Sequence, residues 1–488
     1  MRDTFAALAA PSTYARRLSK DGYTFRTRFE RDRDRILYSR PFRRLAGKTQ
    51  IFVASSHDHV RTRLTHTLEV AQIARTIAHQ LKLNEALAES IALGHDLGHT
   101  PFGHVGERAL NLVMNGCDDS SRACELTDTD KGFKHNLQSV RVATDLTQLY
   151  PKVRGLNLTN FTLWGMQAHT RSYWKPCDLV GENQQCRLPT GMEAKCATNG
   201  HLSLGYYDIY KALFAISDSG GTAWSFEALI VQMADEIAQR HHDLEDGVIA
   251  NLVTRDEVIQ RLQSGAICDR SDKSDRVNLQ KVKQAKNETD EYFVNSLSKL
   301  LVNSLESKLV SNIRRNLSQF QSDHGVHQRG DFVRAYPGIT LDDAKKCIVF
   351  GDDVQTAHDA LEAFLRDRIL NSFGVHRMDG AARFTITRLF QAYTTNPQQL
   401  TNKTIAYLLQ TFHDMESRHR SGSHNICVDP EAIGGMRDEV KELFNSGCRF
   451  NVALLRTICD HIAGMTDEFA MKEYHQLYGY RPLGSLSP

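Results

Sequence analysis

In RLTHTLEVAQIARTIAHQL, residues 63–81, Leu64, Leu68, Ala71, Ala78 and Leu81 recur at helical spacing. Such a stripe specifies an amphipathic helix with one face in a core. The pattern returns in NEALAESIALGHDLG (84–98), where Asn84 can cap the start and Leu87, Ile91 and Leu93 point inward. It returns again in SFEALIVQMADEIAQRHHDLEDG (225–247), with Phe226, Leu229, Ile230, Met233, Ile237 and Leu244 inward and a stop at Gly247. Further helices are predicted over 290–320, 353–371, 402–414, 431–445 and 449–475. Strand-like alternation is scarce, so the chain is expected to be all-α with at most a minor hairpin.

Two segments break the pattern. Residues 172–205 are rich in Gly, Cys and polar side chains and read as a long excursion; residues 268–290 are highly charged and read as a solvated linker or helix face. Residues 1–260 are read as a catalytic core carrying a basic N-terminal segment and the 172–205 insertion. Residues 261–488 are read as a helical region continuous with that core.

Composition narrows the function classes. Among 488 residues the formal net charge is only +2, so no global field favours nucleic acid, although local basic patches remain compatible. No stretch approaches the roughly 18 apolar residues of a spanning helix. The N-terminus has no secretory pattern, and a cytoplasmic protein without membrane contact is expected. None of the ten cysteines forms a CxxC pair, which argues against a zinc ribbon or a dithiol redox site.

GHDLGHTPFGHVGE, residues 94–107, carries the chemistry. The adjacent His95 and Asp96 leave one helix end, His66 sits on the preceding helix, and Asp235 interrupts the apolar LIVQMADEIA. A carboxylate in that setting is costly to bury unless a cation pairs with it. One divalent ion held by His66, His95, Asp96 and Asp235 accounts for all four, since imidazole and carboxylate together suit a borderline metal. Each residue taken alone reads more readily as a surface or capping group, and His57–Asp58 and His242–Asp243 show that the dipeptide also recurs without such company. Pro101 and Gly103 should end the helix. A new helix near Val105 would then place His104 at its edge and Glu107 one turn in, a pairing suited to general acid chemistry.

These blocks resemble the HD-domain superfamily, and more closely the bacterial deoxyguanosine triphosphate triphosphohydrolases. The resemblance is carried by RDRDRILYSRPFRRLAGKTQIF (31–52), RTRLTHTLEVAQIAR (61–75), GHDLGHTPFGHVGE (94–107), GFKHNLQSVRV (132–142), GLNLT (155–159) and ADEIAQRHHDLEDG (234–247), with FLRDRIL, VHRM and IAGMTDEFAMKEYHQLYG further on. It implies an HD-domain helical core with a C-terminal helical extension. By resemblance, His66, His95, Asp96 and Asp235 match the metal ligands, His104 the acid that protonates the leaving oxygen, Glu107 its orienting partner, and His99 a further active-site histidine. Gln50 matches a residue reading the deoxyribose, Arg63 an arginine near the phosphates, Asn136 a pocket-lining residue, and Asp243 an acid facing the sugar-phosphate. Gln239, Ala168 and Lys134 depart from the family's usual tyrosine, lysine and acid.

The implied reaction is hydrolysis of a dNTP, with dGTP preferred, at the α-phosphorus, giving deoxynucleoside and tripolyphosphate. The implied cofactor is a divalent ion (Mn, Mg, Fe, Co or Ni). The implied assembly is a homo-oligomer, hexamer or tetramer, with single-stranded DNA as a further ligand. The competing readings are an HD phosphodiesterase or nuclease acting on other nucleotides, and a nucleotide- or DNA-binding regulator. The His241–His242 pair follows Asp235, the wrong order for dinuclear HD phosphodiesterases.

Overall fold

Helices account for nearly all the regular structure. The structure, a computed structural model, describes residues 5–19, 25–50, 61–117, 126–150, 153–171, 173, 203–217, 220–264, 266–268, 272–416, 433–445 and 448–479. Most of the 172–205 excursion, with Cys177, Cys186 and Cys196, lies outside the described residues. Two three-residue strands, Ala215–Ser217 and Gly220–Thr222, pair antiparallel as the minor hairpin.

The first predicted helix runs Arg63–Leu81, capped by the Thr62 side chain. Of the apolar stripe read from the sequence, Ala71, Ala78 and Leu81 are buried and Leu68 is exposed, and His66, Thr67, Val70, Ile73, Ala74 and Ile77 are buried as well. The reason is that Glu85–Gly94 and Phe226–Ile249 pack on it from two sides, so the buried sector is wider than one stripe and shifted round the axis. Asn84 caps Glu85–Gly94 by accepting the Leu87 amide at 3.0 Å. Ser225 does the same for Phe226–Ile249, which continues two residues past Gly247. Each aliphatic side chain closed inside this packing, such as Ile77 or Ile237, stabilises the fold by about 1.5–3 kcal/mol.

Further along, Asp290–Asp323 is one long helix lying on Phe226–Ile249. Part of the charged 268–290 stretch is itself helical, over Lys273–Ala285, capped by Asp272. The expected 449–475 helix is two helices, Cys448–Ala463 and Asp467–Tyr478, because Gly464 ends one and Thr466 caps the next. Helix Phe373–Thr395 was not expected from the sequence. It packs on Gly103–Met114, Cys448–Ala463 and Asp467–Tyr478. The buried apolar residues form two clusters. One holds the helices that carry His66, His95 and Asp235; the other joins Ala109, Leu110, Val113 and Met114 to the C-terminal helices.

Candidate active site

Four side chains from three elements converge where the two histidines and two aspartates were expected. His66 Nε2 lies 3.0 Å from Asp235 Oδ1. His95 follows the last residue of its helix, and its Nδ1–H donates to the Ala92 carbonyl at 2.6 Å. That bond leaves the lone pair on Nε2, which points 3.4 Å from Asp96 Oδ1 and 3.9 Å from Asp235 Oδ1. This Nε2 is buried and has no hydrogen-bond partner among the described residues. Asp96 Oδ2 accepts from Arg63 Nη1 at 2.7 Å, which leaves Oδ1 facing the histidines. Burial raises the Asp96 carboxyl, but His95, His99 and Arg63 outweigh it and hold the group well below the carboxylate range. Asp235 is likewise held low against its burial, by His66 and His95. An orphaned imidazole lone pair beside two ionised carboxylates fits a borderline divalent ion. The set His66, His95 and Asp96 lies close enough to share one, as does the overlapping set His95, His169 and Asp235.

Gly98 lets the next element close over this turn. A Cβ there would strike the backbone of Ser139 and His135, so only glycine fits. In return the Gly98 amide donates to Ser139 Oγ at 2.8 Å, and that hydroxyl donates to the His95 carbonyl at 2.6 Å.

The second half of the motif turns at Phe102, whose φ of +61° is a left-handed conformation disfavoured for a bulky side chain. Helix Gly103–Met114 starts there. His104 Nδ1–H donates to Glu107 Oε2 at 3.1 Å; His104 is 56% exposed and Glu107 only 2%. The other Glu107 oxygen accepts from the His135 amide at 2.8 Å and from His135 Nδ1–H at 2.7 Å. Burial raises the Glu107 carboxyl, yet His135 and His104 outweigh it and keep the group well below its usual range. His99 stacks on His135 at 3.9 Å between ring centroids and lies 5.1 Å from the His104 ring. Burial, helped by Arg63, pushes His99 well below its ordinary value, so the ring is neutral. Its Nε2 stands 3.5 Å from Asp96 Oδ1, which makes His99 the link between the two halves.

The remaining expected residues divide. Gln50 sits beside the Gly103 turn, with its Oε1 buried and without a hydrogen-bond partner among the described residues. Arg63 is fully buried against Asp96, with Nε and Nη2 carrying no hydrogen bond among the described residues. Asn136 Nδ2 donates to the Gln167 carbonyl at 2.6 Å and so holds the helix end that carries His169. Asp243 is not gathered with the cluster: its charged neighbours are Arg240, Asp246 and Glu362, and burial pushes it up to about 7.

Sequence reasoning missed His135 and His169, whose Nε2 atoms face each other at 3.2 Å. Neither carried a spacing signal. It also missed His242, whose Nδ1 lies 3.3 Å from His66 Nδ1. Here a signal existed, because a seven-residue step from Asp235 returns to the same helix face. A cleft of about 590 Å³ lies between helices Asn160–Ala168 and Phe226–Ile249, lined by Gln167, Ala168, Arg171, Gln232, Glu236 and Lys345.

Residues 63–239 match the HD domain, and residues 348–421 and 431–476 match the phosphohydrolase-associated domain. The chain is 31% identical over 457 residues to the deoxyguanosinetriphosphate triphosphohydrolase-like protein of Geobacter sulfurreducens, covering 93% of this chain and 89% of that protein. With the protein of the same description from Nitrosomonas europaea the identity is 31%, covering 98% of this chain and 99% of the relative. For Caulobacter vibrioides it is 32%, covering 95% and 93%. With its histidine–aspartate cluster and its histidine–glutamate pair both lying inside the matched HD region, the chain belongs to the deoxyguanosinetriphosphate triphosphohydrolase-like family of HD-domain hydrolases.

Proposed function

We propose that the chain hydrolyses deoxynucleoside triphosphates, dGTP foremost, by attack of water at the α-phosphorus, releasing deoxynucleoside and tripolyphosphate. The relatives' shared description supports the substrate class. The observation that carries the reaction type is the adjacency of two unlike halves. The partnerless Nε2 of His95 belongs to an ion-ligand set, and the His104–Glu107 pair stands beyond His99. A divalent ion held by His66, His95, Asp96 and Asp235 would supply Lewis-acid polarisation of a phosphoryl oxygen and a more acidic water.

The protein's own groups do the rest. Glu107 accepts the His104 Nδ1 proton and orients the ring, leaving Nε2 free to carry a proton to the departing 5′-oxygen. Arg63 and the neutral His99 hold Asp96 from both sides and keep its second oxygen turned to the ligand site. Arg171 and Lys345 line the cleft between helices Asn160–Ala168 and Phe226–Ile249, where they offer positive charge to a polyphosphate.

The test is incubation of the purified chain with each dNTP and Mn or Mg, with products read by phosphorus NMR. Tripolyphosphate is the expected product. Pyrophosphate plus monophosphate, or no turnover of any dNTP, would overturn the proposal.

A further inference from the structure

We propose that Glu69, His242 and His66 form a one-way hydrogen-bond chain that aims the Nε2 lone pair of His66 into the ion site. Glu69 and His242 are then positioning residues for an ion they do not touch. The inference rests on the ion-site reading above and goes beyond it.

The distances fix the direction of the chain. His242 Nε2 lies 2.6 Å from Glu69 Oε2, and His66 Nδ1 lies 3.3 Å from His242 Nδ1. An ionised carboxylate can only accept. His242 Nε2 therefore carries a proton, and in the neutral ring its Nδ1 is a lone pair. A lone pair there must accept, so His66 Nδ1 carries the proton and His66 Nε2 does not. That Nε2 is the atom 3.0 Å from Asp235 Oδ1, where two electron-rich atoms now face each other. A cation between them turns repulsion into ligation. This is the arrangement in which a ligating histidine donates its other ring N–H and so gains basicity and a fixed orientation.

His66 and His242 are buried, with side chains 2% and 0% exposed, whereas Glu69 is 36% exposed. The chain thus runs from a solvent-facing carboxylate to a buried ligand. Arg61 pairs with Glu69 at 3.5 Å, and His241 Nε2–H donates to the same Glu69 oxygen at 3.0 Å. Both hold the carboxylate in place.

Glu69, His241 and His242 are also close enough together to hold an ion of their own. The two uses exclude each other while the rings stay neutral. An ion on His242 Nε2 would move its proton to Nδ1, force the His66 proton onto Nε2, and remove His66 as a ligand. The geometry therefore allows one ion in this pair of sites.

The test measures Mn(II) binding to the purified chain by EPR of the free aquo ion, with stoichiometry from elemental analysis and folding from circular dichroism. The wild-type chain should bind one ion in this pair of sites, so His241→Ala, which dismantles only the Glu69 set, should remove none. His242→Ala should weaken Mn(II) about 10–100-fold, and Glu69→Gln about 5-fold or more. His242→Asn, whose Oδ1 can still accept from His66 Nδ1–H, should recover much of the loss. Folded His242→Ala and Glu69→Gln that bind within about twofold of wild type would overturn the inference, as would an Asn variant as weak as Ala, or one wild-type ion lost in His241→Ala while another stays bound. If His242→Ala does not fold, Glu69→Gln at the surface decides by the same thresholds. A wild-type chain that binds no ion sinks the ion-site reading itself, and this inference with it.

Discussion

Asp467 Oδ1 accepts the Phe102 amide at 2.8 Å, so the last helix of the fold holds the turn that aims His104. The other Asp467 oxygen takes the Thr49 amide at 2.8 Å and the Thr49 hydroxyl. Asp467→Ala strands these buried donors and should cost about 2–4 kcal/mol. A lower Tm together with a fall in kcat larger than any rise in KM is the expected result. Unchanged kcat in the folded variant would show that the turn is held by other means.

Gly98→Ala should be among the most damaging single-methyl changes in this chain. The new Cβ meets main-chain atoms of Ser139 and His135, which cannot move without pulling His135 from Glu107. A loss above about 3 kcal/mol is expected, read as a failure to express or a Tm drop of many degrees. Wild-type stability would mean the two segments separate more easily than their hydrogen bonds imply.

Asp243 predicts a pH signature. Burial raises its carboxyl to about 7, with Asp246 adding and Arg240 opposing. The unfolded carboxyl ionises near pH 3.9, so the folded chain loses stability as pH rises from about 4 to about 7 and no further above that. Asp243→Asn should therefore raise Tm at pH 8 by an amount worth about 1–2 kcal/mol and change little at pH 4. Equal effects at both pH values would remove Asp243 as the source.

Glu107 behaves in the opposite sense. Its folded carboxyl is held below the unfolded value, so its stabilising contribution is complete above about pH 4.3 and fades as pH falls. Glu107→Gln should flatten that acid limb in a Tm-against-pH series. It should also lower kcat by roughly 10²–10⁴, because His104 loses the anion that orients it. A variant with near-normal turnover would assign the orientation of His104 elsewhere.

His104→Ala and His66→Ala should separate the two halves of the site. The first should lose turnover while retaining Mn(II) affinity within about twofold; the second should lose the ion. If both variants lose the ion, His104 is a ligand and not the acid.

What could be read beforehand followed from local rules. Asn84 caps where its chemistry says it should, and helices built on a strong period lie near their expected bounds. Of the stripe on the first helix, Ala71, Ala78 and Leu81 are buried and Leu64 packs partly buried on the core, while Leu68 is exposed, because periodicity locates one apolar stripe and cannot say how many neighbours pack on a helix. His66, His95, Asp96 and Asp235 were legible because buried charge demands company. His135 and His169 were not, because their meaning comes only from a contact made across 34 positions of chain. Asp243 shows the converse: its sequence neighbours Asp235 and His242 enter the cluster, but its own helix face turns to Arg240 and Glu362.

Lys48, fully buried, reaches the carbonyls of both His99 and Ala463, so one side-chain nitrogen bridges the turn after Asp96 and the C-terminal helices. The helix bearing His104 shares its apolar packing with those same helices, whereas the helices bearing His66, His95 and Asp235 share the other cluster. His104 and the His66–His95–Asp96–Asp235 cluster therefore stand on separate apolar foundations, joined by polar contacts such as those of Lys48. Residues beyond 348 enter both clusters, Phe350, Leu361, Leu365 and Ile369 in the one and Ile386, Leu389 and Leu454 in the other, so an isolated HD segment would lose footing under both halves. The catalytic unit of this chain is longer than the domain that gives it its name.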